Sequence, residues 1–449
     1  MLSYYNANRF HYFVFITWQT SIFLGTQMLF TIFAGYTPKW RCNDNEEFTT
    51  NCVSYAKCGG NVTFEPAPFG SIVMEFEKYC DGEEVSTYKR YYSQAIFFGV
   101  FFGTIAWGWL ADIFGRKPIA ITVFTGIIVL NICTAYLQSA HSILGVRAIF
   151  GFTLGGSLTA VWSYCNELLL PHQRIMLRAF FNWGSGRMIL TLICFLLPTW
   201  RAASIAVSLA AIPGLLVIIF VLPESPIWLH NKGMLSLLAS KDMLQKLLVL
   251  WFVWWVSATC AYANDLQSNS LSGNLYLNQM VFGFIIYISK WVMAWADRTY
   301  PLFSRRLLHQ SSQMSTCIVF LAMSICVLTE NKGLFLTALN IIGCVLIEFT
   351  WDANQMCAVE SFPTVCRASA VGSCSLVARI GALMAPQLAF YGSIWPPAVY
   401  VTVFVLGLIN FFVAYFGMAE TKNINLEALD QAAGNRPVDD LLRRESSDL

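Results

Sequence analysis

Charge is scarce in this sequence. Asp, Glu, Lys and Arg make up 12% of its 449 residues, about half the roughly 25% usual in soluble domains. The 28 basic and 26 acidic residues leave a net charge of +2, so no basic excess points to nucleic acid. Histidine is sparse as well: His11, His141, His172, His230 and His309 show no metal-ligand spacing, and there is neither a C-x-x-C nor a G-x-x-x-x-G-K element. Metal and P-loop chemistry lack their residues. No nucleophile and base arrangement is legible, so neither an enzyme nor a cofactor is expected. A small-residue cleavage site is missing after the first apolar stretch, which therefore reads as a membrane span rather than a signal peptide.

What is present is apolar surface. Hydrophobic residues reach 56%, with 15 Trp and 35 Phe, more than soluble domains of ordinary size can hide. Apolar runs long enough to cross a hydrocarbon core of about 30 Å number twelve. Six fall in the first half, at 12–34, 92–112, 119–138, 142–166, 177–198 and 203–222. Six more follow at 246–264, 276–297, 311–328, 333–357, 369–390 and 396–418. Lipid offers no partner to an open sheet edge, so the spans are expected to be helical. The expected organisation is a cytoplasmic amino terminus (1–11), a six-helix bundle (12–222), a short cytoplasmic linker (223–245), a second six-helix bundle (246–418) and a disordered cytoplasmic tail (419–449).

Sidedness follows from the loops, because Lys and Arg accumulate on the cytoplasmic side. With the amino terminus inside, sixteen basic residues, among them Arg116, Lys117, Arg174, Arg305, Arg306 and Arg367, fall on that side; the short outer loops hold only Arg201 and Lys332. The one long outer segment, 35–91, contains Cys42, Cys52, Cys58 and Cys80 and the sequon Asn61-Val62-Thr63. It reads as an oxidised, glycosylated extracellular loop, with three cysteine pairings possible.

Landmarks of the first half recur in the second. Asp112 and Asp297 end the second and eighth spans. Glu167 with Arg174 seven positions on matches Glu360 with Arg367, and Glu224-Ser225 matches Glu420-Thr421. Two related bundles are implied, as in transporters whose halves rock about a central site.

Gly108-Trp109-Leu110-Ala111-Asp112-Ile113-Phe114-Gly115-Arg116-Lys117 resembles the loop signature of the major facilitator superfamily. Pro223-Glu224-Ser225-Pro226-Ile227-Trp228-Leu229 and Glu360-Ser361-Phe362-Pro363-Thr364-Val365-Cys366-Arg367 resemble segments of its organic ion (solute carrier 22-like) branch. The resemblance implies an all-α membrane protein of the major facilitator fold, with twelve transmembrane helices in two pseudo-symmetric bundles. It also implies that Asp112 faces the start of the eleventh span and that Arg116 pairs with Glu167 or Glu224. Arg306, Glu360, Arg367 and Glu420 are the expected matching cluster, and Gly108 and Gly115 would permit close approach and a tight turn.

Charges near mid-span are the candidate site, because an ionised group in hydrocarbon needs a partner or an aqueous cavity. Arg187, Lys290, Arg379, Glu348 and Asp352 sum to +1. By the resemblance, Lys290 and Arg379 match the two cavity cations of the organic anion subgroup, and Tyr262 and Trp351 match its aromatic cavity positions. A guanidinium fork with a movable ammonium makes a two-point anion clamp; internal pairing of Lys290 or Arg379 with Glu348 or Asp352 is the alternative. Trp254 and Trp255 read better as packing. Arg187 and Asp352 depart from the subgroup, which has neutral residues there. Either they form a salt bridge that leaves Lys290 and Arg379 free, or Asp352 lines the cavity and favours cations or zwitterions. The linker is shorter than the family's, Ile227 replaces an Arg, and Ser304 stands where the family has Gly, so a weakened cytoplasmic network is expected.

The reading is a plasma-membrane secondary transporter of amphipathic organic anions, working as a monomer in the lipid bilayer on a small organic ion. The alternatives are a cation or carnitine-like zwitterion transporter and a transport-dead sensor or scaffold.

Overall fold

The computed structural model describes residues 9–42, 48, 49, 52, 55, 58, 62–80, 87–169, 180–225, 241–268, 274–300, 304–329, 333–362, 364–418, 420 and 421, without the side chains of 241, 242, 297, 298, 334 and 364–369. Asn61, Arg174, Ile227, most of the linker and the tail beyond 421 lie outside these, as does the side chain of Arg367.

In the first half, α1 (Arg9–Gly25) passes through a 3-10 turn at Thr26–Met28 into α2 (Phe30–Ala34). The loop that follows holds two short antiparallel strands, β1 (Trp40–Arg41) and β2 (Thr63–Phe64), and α3 (Ile72–Glu75). Then come α4 (Thr87–Phe114) and α5 (Arg116–Tyr136). Helix α6 (Ala140–Gly156) continues through a π-helical turn at Ser157–Val161 into α7 (Trp162–Glu167). Helices α8 (Trp183–Leu196) and α9 (Trp200–Phe220) close the half. The second half is α10 (Lys241–Gln267), α11 (Leu275–Thr299), α12 (Arg305–Leu328), α13 (Leu334–Glu360), α14 (Thr364–Ile394) and α15 (Ala398–Gly417).

Among the described residues, eleven helices are long and apolar enough to cross a membrane, and α8 is a shorter apolar helix. Helix α8 begins at Trp183, later than the expected 177, because the side chain of Asn182 accepts from the amides of Gly184 and Ser185 and caps it there. Large apolar side chains such as Trp109, Phe220 and Phe416 stand exposed on the outside, as lipid-facing positions do.

Small residues set the helix contacts. Gly99 and Gly103 of α4 face Gly151, Phe152 and Ala148 of α6, where a Cβ on Gly103 would collide with the carbonyl of Phe152; spacing of this small-xxx-small kind brings helix backbones together in lipid. The halves meet the same way: Gly184 of α8 lies against Gly283 of α11, and a Cβ on Gly283 would sit 2.9 Å from the carbonyl oxygen of Gly184.

Of the three possible pairings in the loop, Cys42–Cys58 and Cys52–Cys80 form. The loop is seated on the first half through Glu75, which accepts from the indole of Trp200 at 2.6 Å and pairs with Arg201.

Candidate functional site

Three buried mid-span cations differ in their partners, and one of them joins the halves. Arg187, on α8, is 1% exposed. Its Nη1 lies 2.7 Å from Asp265 Oδ1 on α10, its Nε donates to Gln279 on α11 at 2.9 Å, and the guanidinium lies over the ring of Phe282. Lys290, on α11, is 6% exposed and reaches Glu348 Oε2 and Asp352 Oδ2 on α13, each at 2.7 Å. Arg379 is the middle residue of α14 and 5% exposed. It donates to the Tyr262 hydroxyl at 3.3 Å, and its Nε has no partner among the described residues.

This corrects two expectations. Arg187 pairs with Asp265 rather than Asp352, and Lys290 is occupied by both Glu348 and Asp352 of α13, as in the internal-pairing alternative. Glu348 and Asp352 are one helical turn apart and so share one face of α13 toward α11. Counting Asp265 also brings the expected +1 to balance. Asp265 lies three residues from the end of α10, where a carboxylate reads from sequence as a headgroup anchor.

Tyr262 touches the cores of both halves. Its ring meets Phe97 of α4 at 5.3 Å and Trp183 of α8 at 6.4 Å, both edge to face. Trp351 packs on buried Trp254 at 5.2 Å, and Trp255 rests on Phe252. Aromatic faces of this kind bury the flat part of an organic ion and leave its charge to polar groups.

On the face that carries the disulfide loop, further contacts join the halves. Gln94 Nε2 donates to Gln387 Oε1 at 2.8 Å, Arg90 lies over the ring of Phe390, and the Tyr276 hydroxyl donates to the carbonyl of Pro68.

The opposite face carries two matching carboxylate clusters. In the first half, Glu224 accepts from the amides of Arg116, Lys117 and Ser225, while Ser225 donates to Glu167 at 2.5 Å and Arg116 Nε lies 3.4 Å from Glu167. In the second, Glu420 accepts from the amides of Arg305, Arg306 and Thr421, while Thr421 donates to Glu360 at 2.7 Å and Arg305 lies 3.1 Å from Glu360. Each glutamate satisfies amides at the start of a helix, α5 or α12, and complements its dipole.

The guanidinium paired with Glu360 is that of Arg305, the first residue of α12 as Arg116 is of α5; Arg306 donates instead to the carbonyl of Tyr415. The expected weakening from Ser304 does not follow: its hydroxyl caps α12 through the amide of Leu307, and the cluster forms. Asp112 is exposed and pairs with Arg116 at 2.8 Å. Gly108 faces open space rather than a close helix. Gly115 does make the tight turn, with φ of 102°, and a Cβ there would lie 2.6 Å from Glu224 Oε2. Gly115→Ala is therefore expected to lower stability by about 1 to 3 kcal/mol, read as a drop in the melting temperature of the purified protein.

Arg147 on α6 is a buried charge that the span reading passes over. It is 1% exposed and donates from Nη2 to the carbonyl of Gln27 at 2.8 Å.

The family model described as Sugar (and other) transporter matches residues 74–249 and 234–433. The chain is 31% identical to the uncharacterized protein F23F12.3 of Caenorhabditis elegans, over 96% of each chain. It is 24% identical to solute carrier family 22 member 16 of Xenopus laevis, over 81% of this chain and 71% of that one. In three dimensions it is similar to the D-xylose-proton symporter, with a TM-score of 0.62 at 14% identity, over 93% of this chain and 98% of that one.

Proposed function

We propose a substrate and a cycle for a chain that belongs to the Sugar (and other) transporter family, in the major facilitator superfamily and similar to its solute carrier 22 members. It is a multi-pass membrane transporter of the major facilitator fold. The substrate is an amphipathic organic anion, and the route is alternating access driven by exchange or an ion gradient. The observation that carries this reading is the difference among the three central cations. Carboxylates hold Arg187 and Lys290, whereas Arg379 has the Tyr262 hydroxyl and an unpartnered Nε. A buried guanidinium with coordination to spare suits a carboxylate or sulfate arriving from a cavity.

The contacts that join the halves on the loop face support a state closed there, with the path to Arg379 running from the other side. The sixteen-to-two distribution of basic residues supports placing that other side, and both termini, in the cytoplasm, with the loop outside the plasma membrane.

A second reading rests on the two carboxylates around Lys290. They offer a pole for a substrate cation while Arg379 takes the anion, which would suit a zwitterion. Uptake of a labelled aromatic carboxylate, a quaternary ammonium and a quaternary ammonium carboxylate into proteoliposomes separates the readings. The first expects carboxylate uptake that survives Asp352→Asn. The second expects zwitterion uptake that falls about tenfold or more in that variant, the loss of one charge-assisted contact. Uptake of the ammonium alone would overturn both.

A further inference from the structure

We infer that Arg147 and Gln27 form a binding site for a compact inorganic monoanion of the halide class, inside the first half and separate from Arg379. Gln27 lies in the 3-10 turn where the first span changes register, and its side chain is fully buried. The turn frees the Gln27 carbonyl, and Arg147 Nη2 donates to it at 2.8 Å. The guanidinium is walled by Phe150, Tyr92 and Phe30, with ring centroids at 4.8, 5.1 and 5.8 Å.

No carboxylate pairs with Arg147 among the described residues; Asp265 goes to Arg187, and Glu348 and Asp352 go to Lys290. Three polar atoms of the cluster lack a partner among the described residues: Arg147 Nε and both the amide nitrogen and the amide oxygen of Gln27. The neighbouring rings attract the cation but do not neutralise it. A full positive charge with unmet donors in a dry interior is costly unless a counter-charge accompanies it. The unmet donors are a guanidinium N–H and a primary amide, groups that bind a spherical anion without needing its acceptors to be directional. Aromatic rings on three sides of the guanidinium favour a compact anion over a bulky organic carboxylate.

The test uses the full chain in lipid nanodiscs and follows its melting temperature in sodium chloride or bromide against sodium gluconate at equal ionic strength. Chloride and bromide are expected to raise the midpoint with the logarithm of their concentration above the dissociation constant, by about 3 °C at roughly a hundred times that constant. The rise should disappear in Arg147→Gln and should persist in Arg379→Ala. Gln27→Leu, which leaves Arg147 in place, should raise the halide concentration needed for a given shift about tenfold and decides the matter if Arg147→Gln does not fold. A midpoint indifferent to the halide, a rise that survives Arg147→Gln, one lost in Arg379→Ala, or one unmoved by Gln27→Leu would each overturn the site.

Discussion

Replacing Arg379 by alanine is expected to reduce the initial rate of organic anion uptake roughly a hundredfold, corresponding to about 3 kcal/mol for one side of a buried charge-assisted contact. The size of the effect follows from the site's other occupants. Arg187 and Lys290 are already committed to carboxylates and are not free to substitute. Arg379→Lys keeps the charge but loses the planar fork, and a loss nearer tenfold is expected. The measurement is tracer uptake into proteoliposomes carrying equal amounts of folded protein. Normal anion uptake by a well-folded Arg379→Ala protein would remove the proposed role.

The second large effect concerns Asp265. In Asp265→Asn, Arg187 keeps Gln279 and the face of Phe282 but loses its counter-charge. Breaking a buried pair from one side costs about 3 to 5 kcal/mol. Because the pair joins α8 of one half to α10 of the other, that cost falls on the conformation in which the loop face is closed. The equilibrium should move toward opening of that face by a hundredfold or more. A cysteine placed at Gln387, which bonds Gln94 across the halves, reports the change through its labelling rate by a membrane-impermeant thiol reagent added on the loop side. The double variant Arg187→Gln, Asp265→Asn should label more slowly than Asp265→Asn alone, since no buried charge is then left unpaired. An unchanged rate in Asp265→Asn would mean that the bridge does not hold the halves together.

The spans and the duplication were legible because both are written in composition and spacing: a bilayer demands long apolar runs, and Glu167, Glu224, Glu360 and Glu420 recur at matching places. Partner choice among buried charges was not. Which acid meets Arg187 depends on how far each helix is rotated about its axis and which helices adjoin, and neither is encoded in sequence distance. Asp352 sits at mid-span and drew attention, while Asp265 near a helix end did not. Arg147 lies only five residues inside the expected fourth span, where a charge reads as an end anchor, yet the structure buries it. The exchange of roles between Arg305 and Arg306 was set by where α12 starts, which the Ser304 cap fixes.

The meeting of Gly184 with Gly283 has a mechanical consequence. Two backbones in such close approach, with the unbranched side chain of Met188 beside them, can roll on one another with fewer rotamer changes than interlocked branched side chains would demand. In the proposed alternating-access cycle the contact would serve as a fulcrum, and angular travel of one half about it would produce displacement that grows with distance from the pivot. The carboxylate clusters at the far face, being distant from the pivot, would travel the furthest. Bulk added at either glycine would lengthen the axle and slow turnover without touching anything that recognises the cargo.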